Sequence, residues 1–332
     1  MHPGLSFTAQ PGMFSKNQEL GCQRSAAETG GINVQNASRK LVRRYRVVGL
    51  AFLLPAIAFY LIFMTYPLMQ TVYTSLTNWG GFGPKKFIGI SNYIKAFSDT
   101  VMRKALFNTC FLAIASSIFS VLIGVLMAWV NMSFHRRNGQ VTRTILFAPN
   151  MISPTIAGLM FLFVFTEDLG LLNNALRLIG LESLETAWLS NMKTVLWVIV
   201  IVTVWRQVGL PLVLCYAGFQ GIPSSLIESA RLDGAGDGQV FTKVLLPLIQ
   251  PQIQMSVMFT LLGSLKIYDS VVSLTGGGPA RQTVVMPMWI VENAFTYSKF
   301  GYASAMAVLF VLVVFVFMVI IKRIFRGVAY EF

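Results

Sequence analysis

The chain has 332 residues, 55% of them hydrophobic and only 12% charged, with a mean hydropathy of +0.65. Soluble domains carry about 25% charged residues, so an ordinary soluble protein is excluded, and the apolar runs lack the alternation of a membrane β-barrel. The net charge of +13 indicates membrane topology rather than nucleic-acid binding, because Lys and Arg concentrate on cytoplasmic loops. We predict an all-α polytopic membrane protein.

The N-terminal segment, residues 1–45, is polar and contains no apolar run. It lacks the apolar region that a signal peptide needs after its charges. We expect a disordered cytoplasmic tail, which leads into the basic stretch RKLVRRYR directly before the first apolar run.

Six apolar runs are each long enough to cross about 30 Å of hydrocarbon at about 1.5 Å per residue. They lie near residues 47–70, 105–132, 144–165, 194–218, 253–275 and 302–321. We therefore predict a six-helix membrane domain over residues 46–332, with a long polar loop at about 219–252.

The distribution of basic residues predicts the orientation of these spans. With a cytoplasmic N-terminus, fifteen of the 26 Lys and Arg residues lie on the cytoplasmic side and nine lie on outer loops. One outer loop, residues 71–104, runs against this pattern with five basic residues: Lys85, Lys86, Lys95, Arg103 and Lys104. The cluster before the first span usually dominates, so we predict that both termini are cytoplasmic.

The third run reads TILFAPNMISPTIAGLMFLFVF, in which Pro149 and Pro154 bracket Asn150 and Ser153. Two prolines five residues apart remove two backbone donors and should break or kink the helix. Broken helices inside membranes often line transport pathways, although a kink that serves only packing remains the alternative.

The polar loop after the fourth run contains ESARLDGAGDGQVFTKVLLP. Pro223 suits a first helical position, and the spacing of Ser225 and Glu228 resembles a capping box, so SSLIESARLD is predicted to form a short helix. A glycine in the left-handed conformation, within the cluster that begins at Gly234, should end it. A second short amphipathic helix should follow and end near Pro247.

No catalytic signature is present in the sequence: there is no phosphate-binding P-loop, no H-E-x-x-H and no G-x-S-x-G. The three cysteines, Cys22, Cys110 and Cys215, have neither metal-ligand spacing nor a disulfide framework. We expect no metal, no cofactor and no enzymatic activity of this chain.

The polar loop resembles the EAA motif of binding-protein-dependent ABC importer permeases. Glu228-Ser229-Ala230 leads by three residues to Gly234, and nine more residues reach Val244, followed by Leu246 and Pro247. Ser229 and Val244 depart from the Ala and Ile of the family pattern, and both changes are conservative. By this resemblance we expect the loop to be a coupling helix that contacts an ATPase subunit through six residues: Glu228, Ser229, Ala230, Asp233, Gly234 and Ala235. Val244, Leu246 and Pro247 should hold that helix in place.

The resemblance extends from about residue 47 to the end and narrows to the sugar-importer branch of the family, through stretches such as FIGISNYIKAF, LFAPNMISP and FGYASAMAVLF. It implies a bacterial cytoplasmic membrane protein that pairs with a second, different permease subunit. Two ABC ATPase subunits and an extracytoplasmic solute-binding protein would complete the importer. A sugar or oligosaccharide is the implied substrate; glycerol phosphate or another polyol, or a self-sufficient secondary transporter, are the alternatives.

The segment SLTGGGP resembles the same branch, and there Gly276, Gly277, Gly278 and Pro279 are candidates for contact with the binding protein. Three glycines and a proline also permit a sharp turn, which is the structural alternative.

Polar residues inside the predicted spans are candidates for the substrate path, because intramembrane charges usually face a bundle interior. The candidates are Arg206, Gln207, Lys266, Tyr268, Asp269, Asn150 and Ser153. Lys266 and Asp269 are three residues apart, so on one continuous helix they would be neighbours and could pair. The alternative is that these groups serve helix packing only.

Overall fold

The structure is a computed structural model, and it describes residues 52–133 and 138–325. Within these ranges the chain is helical, and the sole β feature is an isolated bridge between Thr77 and Phe87. The predicted tail and Cys22 lie outside the described residues. Contacts divide the chain into two units, Met1–Leu68 and Met69–Phe332. The described part of the first unit is the helix from Phe52, with a π-helical turn at Leu61–Thr65 and mostly exposed side chains.

The helices of the described residues are numbered in chain order. They are α1 Phe52–Ser75, α2 Ser91–Ser98, α3 Thr100–Ser133, α4 Asn138–Phe147, α5 Pro154–Phe165, α6 Leu171–Leu178, α7 Val195–Gln207, α8 Gly209–Gln220, α9 Ser224–Leu232, α10 Asp237–Leu248, α11 Gln250–Leu265, α12 Asp269–Thr275, α13 Met286–Val291 and α14 Phe300–Ile324.

Three of these helices, α1, α3 and α14, are long and apolar enough to cross a membrane unaided. Three bent pairs could each form one further span: residues 141–151 with α5, α7 with α8, and α10 with α11. The bends measure 98°, 43° and 71°. The expected break in the third run is confirmed, because a 3₁₀ turn at Ala148–Met151 separates α4 from α5 at the two prolines.

Helix α3 lies at the centre of the second unit and packs against α7, α8 and α11. Small residues repeat every fourth position on it, at Ser116, Ser120, Gly124 and Ala128, and so share one face. A Cβ atom on Gly124 would lie 2.6 Å from Cβ of Pro211, so the backbones of α3 and α8 approach closely only because this residue is glycine. Such small-residue faces are the usual means of close helix packing in membranes.

The fifth predicted span, residues 253–275, is not one helix. Helix α11 ends at Leu265, and α12 begins at Asp269 after a turn closed by the Ile267 amide on the Ser264 carbonyl. The break lets α12 pack on α5, where Gly158 leaves room for Ser273. The run contains no proline at this point, so the break accompanies a tertiary contact and not a missing backbone donor.

The start of α3 is held by Asp99. Its Oδ1 accepts hydrogen bonds from the amides of Val101 (2.8 Å) and Met102 (3.2 Å), and its Oδ2 accepts from the Tyr302 hydroxyl (2.7 Å) and the Trp289 indole (3.2 Å). Burial acts to raise the pKa of Asp99, but these four hydrogen bonds outweigh it and hold the pKa below its usual range. Asp99 therefore joins α3, α13 and α14 as a carboxylate.

Because the pKa of Asp99 is lower in the folded state, its stabilisation is complete above the unfolded pKa of about 3.9 and is lost as the pH falls through the folded value. We expect Asp99→Asn to lower the free energy of unfolding in detergent by about 1 kcal/mol at neutral pH. The difference from the parent should shrink below about pH 4. Thermal midpoints measured against pH check this, with Asp168→Asn, an exposed carboxylate, as control; a difference that does not change with pH would contradict it.

Candidate functional site

The loop between α8 and α11 folds as two short helices, as expected from its sequence. Helix α9 runs from Ser224 to Leu232, which confirms the predicted helix SSLIESARLD except for its last residue. Pro223 is the N-cap residue, with no side-chain cap, so its predicted first helical position and the Ser225–Glu228 capping box are both wrong. Proline has no side-chain oxygen that could accept from the first amides, and Ser225 is already the second helical residue and not the N-cap.

Helix α9 ends in the predicted way. Gly234 has φ of +85°, its amide bonds to the Arg231 carbonyl, and the Ala235 amide bonds to the Ala230 carbonyl. These two bonds form a Schellman motif, which only a residue tolerant of positive φ closes without strain. The motif fixes the direction in which the chain leaves α9.

Helix α10 anchors the loop to the helix bundle. Phe241 is buried and stacks on Trp129 near the end of α3, with ring centroids 4.4 Å apart. Val244 and Leu246 are half-buried, and Leu246 packs with Ile227 of α9 on the same apolar cluster. Pro247 is exposed, and α10 continues through it to Leu248 before the chain bends. The Trp129–Phe241 stack was missed in the sequence, where no spacing connects the two residues.

The face of the loop that points away from the bundle carries most of the motif. Glu228, Ser229, Asp233 and Gly234 are exposed, whereas Ala230 and Ala235 are half-buried against the apolar cluster. Neither Glu228 nor Asp233 belongs to any of the ion pairs among the described residues, of which the loop contains Arg231–Asp237 at 2.9 Å. Leu232 at the tip is 89% exposed. Exposed carboxylates without partners among the described residues are available to pair with basic residues of another protein.

A second group of polar residues lies where spans are broken. The breaks fall at residues 148–153, at Val208 and at residues 266–268, and they touch one another. A Cβ atom on Gly209 would lie 2.7 Å from both the Leu146 carbonyl oxygen and the Phe147 Cα. The end of α4, at the first break, therefore packs directly against the start of α8, at the second break. The Ser264 hydroxyl donates to Oε1 of Gln207 (3.2 Å), and the Ser270 hydroxyl donates to the Pro154 carbonyl (3.4 Å).

All seven predicted path residues lie at these breaks. Gln207 is buried, Arg206, Asn150 and Tyr268 are half-buried, and Ser153, Lys266 and Asp269 are exposed. The predicted pairing of Lys266 with Asp269 is wrong: the described residues contain no ion pair between them, because the end of α11 separates them from a common helix. Ser264, which the sequence reasoning missed, is the partner of Gln207; only a tertiary contact identifies it.

The glycine-rich segment forms a rigid turn at the end of α12. Gly276 and Gly277 have φ of +57° and +85°, and the Gly278–Pro279 peptide is cis. The Thr283 hydroxyl donates to the Gly278 carbonyl (2.8 Å) and pairs with the Thr275 hydroxyl (2.8 Å). The expected sharp turn is therefore present. Its residues border an open cavity of about 510 Å³ that also contacts Glu167 and Ser190.

The two loops lie at opposite ends of α3. Asn108, near its start, donates to the carbonyls of Gln282 (2.7 Å) and Val284 (2.9 Å) just after the glycine-rich turn. Trp129, near its end, holds the α9–α10 loop. Twenty-one residues of helix separate the two, roughly 30 Å and hence about one hydrocarbon thickness.

Comparison with known proteins agrees with this arrangement. Residues 120–330 match the family described as binding-protein-dependent transport system inner membrane component. The probable ABC transporter permease protein YurN of Bacillus subtilis is 36% identical over 269 residues, which cover 80% of this chain and 92% of YurN. The multiple sugar-binding transport system permease protein MsmF of Streptococcus mutans is 31% identical over 277 residues, 83% of this chain and 93% of MsmF.

Among solved structures, a chain of a bacterial ABC transporter involved in import of the acidic polysaccharide alginate has the same fold. Its TM-score is 0.75 at 22% identity, over 88% of this chain and 99% of the other. The chain therefore belongs to the family of binding-protein-dependent transport system inner membrane components. It is an ABC transporter permease subunit, a transport component rather than an enzyme.

Proposed function

We propose that this chain is the membrane-spanning subunit of an importer for a sugar or oligosaccharide, which works by alternating access and is driven by ATPase subunits through the α9–α10 loop. The observation that supports this proposal is the structure of the α9–α10 loop. Its motif carboxylates are exposed and unpaired, while its opposite face is locked to α3. A rigid, exposed loop that is fixed to a central membrane helix is suited to transmitting the movement of a partner protein to the helix bundle.

The proposed topology has six spans with both termini in the cytoplasm of a bacterial cell, in its cytoplasmic membrane. It counts six spans: the single helices α1, α3 and α14, the bent pairs α4–α5 and α7–α8, and α11 together with α12. It is supported by Lys322 and Arg323 in the last turn of α14, since basic residues favour the cytoplasmic side. The α9–α10 loop is then cytoplasmic, and the glycine-rich turn faces outward.

The partners follow from this topology. We place one of the two ATPase subunits against Glu228, Ser229, Ala230, Asp233, Gly234 and Ala235, and we add Leu232 at the tip. Val244, Leu246 and Pro247 act as support. The outward turn at Gly276–Pro279 and its 510 Å³ cavity are the proposed contact for a solute-binding protein. A second, different permease subunit would cover the exposed sides of the three breaks.

A sugar substrate is supported by the name of MsmF, a multiple sugar-binding transport system permease. The path is assigned to the three touching breaks, where amide, hydroxyl and aromatic groups can meet a hydroxyl-rich solute. Arg206 and Lys266 would also suit an anionic solute, so glycerol phosphate or another polyol is the second candidate.

We expect Glu228→Ala to weaken docking of the ATPase subunits by more than tenfold, because a charge-assisted contact of about 2 kcal/mol is lost. The affinity of the purified permease pair for the ATPase measures this. Asp237→Ala is the matched control: its carboxylate lies on the same loop but bonds exposed Arg231, and exposed pairs contribute about 0–1 kcal/mol. Equal affinities of the two variants would count against the assignment of Glu228.

The function as a whole is tested by reconstitution in liposomes with both ATPase subunits, the partner permease and the binding protein. A panel of mono- and oligosaccharides and glycerol phosphate is added, and ATP hydrolysis and solute uptake are recorded. This chain alone should hydrolyse no ATP, and one sugar class should stimulate both hydrolysis and uptake. Uptake without the ATPase subunits would instead indicate a secondary transporter.

A further inference from the structure

An apolar groove of about 270 Å³ lies between α2, the start of α3 and α14. Phe97 of α2 and Met102 and Leu106 of α3 form one wall. The other wall is α14 from Leu309 to Ile320, whose Cα atoms are eleven positions, or about 16 Å, apart along its axis. The groove is therefore long and narrow, runs along a membrane-spanning helix, and offers no hydrogen-bonding group to a polar ligand.

The segment that supplies Phe97 and Met102 to this groove is basic, with Lys95 and Arg103 close to them in the chain. Residues 71–104 contain five Lys and Arg residues and one acidic residue, Asp99. Asp99 is occupied by Tyr302, Trp289 and two backbone amides, and none of the ion pairs in the described ranges includes a basic residue of this segment. The Lys95 ammonium lies 5.1 Å from the centroid of the Tyr302 ring. The positive charge of this segment is therefore not neutralised by ion pairs among residues 52–133 and 138–325.

Arg103 lies where the basic segment meets the exposed apolar surface of α3. It is exposed one residue after Met102, at the head of an exposed stripe of α3 that continues with Phe107, Ile114 and Ile118. Spacings of four, seven and four residues place these side chains on one helix face. On α2, Ile94 and Phe97 are likewise exposed beside Lys95. Basic side chains next to exposed apolar side chains are typical of a protein surface at the boundary between lipid headgroups and hydrocarbon.

We propose that the groove holds an acyl chain of an anionic glycerophospholipid, whose phosphate is bound by Arg103 and Lys95. Such a lipid meets both features at once: its chain fills the apolar groove, and its phosphate balances the basic segment. An acidic protein surface would balance the charge and leave the groove unfilled. In the proposed topology the site belongs to the outer leaflet, and the five basic residues that oppose the usual charge distribution become its ligands or its surroundings.

The test uses native mass spectrometry of the assembled transporter in detergent, titrated with phosphatidylglycerol or phosphatidylcholine. Retention of phosphatidylglycerol should exceed that of phosphatidylcholine, and Arg103→Gln should reduce it about fivefold, the effect of one basic residue near an anionic headgroup. Lys193→Gln is the matched control, an exposed basic residue two positions before α7 at the start of another span. Equal losses from both variants would overturn the site.

A second pair of variants tests the groove without changing charge. Val313→Trp fills it and should reduce retention of both lipids, whereas Val311→Trp, on an exposed side of the same helix, should not. Inorganic phosphate should leave bound phosphatidylglycerol in place; displacement would indicate a site for a free anion and overturn the lipid assignment. Arg103→Gln that weakens docking of the solute-binding protein, with phosphatidylglycerol retention unchanged, would show that the charges serve a protein partner instead.

Discussion

Replacing Gly234 by valine is expected to abolish most substrate uptake while leaving the helix bundle folded. Gly234 has φ of +85°, which a β-branched residue strongly resists, at a cost of about 1–2 kcal/mol or more for the left-handed conformation. No atom lies within 4 Å of a Cβ at this position, so the effect is conformational and not a steric clash. The Schellman motif should open, and α9 should lose its fixed angle to α10. In the proposed mechanism this angle transmits the movement of the ATPase subunits, so a change in the angle should uncouple ATP hydrolysis from uptake.

Gly236→Val is the matched control for this prediction. Gly236 also has open space around it, but its φ is −72° with ψ of 166°, a region that valine prefers. Uptake and substrate-stimulated ATP hydrolysis are measured in liposomes for both variants, with thermal midpoints as the check on folding. We expect uptake to fall about tenfold or more for Gly234→Val and less than about twofold for Gly236→Val. Equal loss in both, or normal uptake in Gly234→Val, would show that the angle of α9 is not transmitted.

The α9–α10 loop was the part of the candidate site whose local structure the sequence predicted best, and the reason is local chemistry. A helix of nine residues followed by glycines needs a positive φ close to its end, and Gly234 supplies it. The N-terminal details failed for the same reason that helix boundaries often do: Pro223 and Ser225 are compatible with more than one register. The Trp129–Phe241 stack supports the loop from the bundle side. Its two residues are more than one hundred positions apart, so no local sequence pattern predicts the contact.

The helix breaks also include one that local sequence predicts and one that it does not. The break at Pro149 and Pro154 follows from missing backbone donors, so it could be predicted. The break after Leu265 has no proline, and it exists because α12 packs on α5 through Gly158 and Ser273. Assuming a continuous helix there led to a Lys266–Asp269 pair that the described residues do not contain. Pairing rules for helix neighbours hold only where the helix itself is continuous.

The contacts among the three breaks give the bundle a point at which its parts can move as units. Close glycine contacts and single side-chain hydrogen bonds join them. Relative motion of fragments would therefore cost few interactions at the breaks. The α9–α10 loop is continuous with the last break through α11, so displacement of the loop would reach Ser264 and its partner Gln207 along one helix.

Gln207→Leu is accordingly expected to have the largest effect of any substitution in the proposed path. Gln207 is only 6% exposed, and its amide oxygen accepts the bond from Ser264, which is fully buried. Leucine keeps the volume approximately but leaves the Ser264 hydroxyl without this partner, at about 1–3 kcal/mol. Uptake in liposomes should fall about tenfold or more, with assembly of the complex unchanged by size-exclusion chromatography.

Ser264→Ala and the Gln207→Leu/Ser264→Ala double variant distinguish two roles of Gln207: linking α7 to α11, or binding the solute directly. If the Gln207–Ser264 bond acts as a joint between α7 and α11, each single variant should lower the maximal rate, and the double variant should be no worse than Gln207→Leu. If Gln207 instead binds solute directly, Gln207→Leu should raise the half-saturating solute concentration and the losses should add. Gly263→Ala is the control on the same turn, because its Cβ would lie 3.4 Å from Nε2 of Gln207, an ordinary contact. Wild-type uptake in all of these variants would exclude the three breaks from transport altogether.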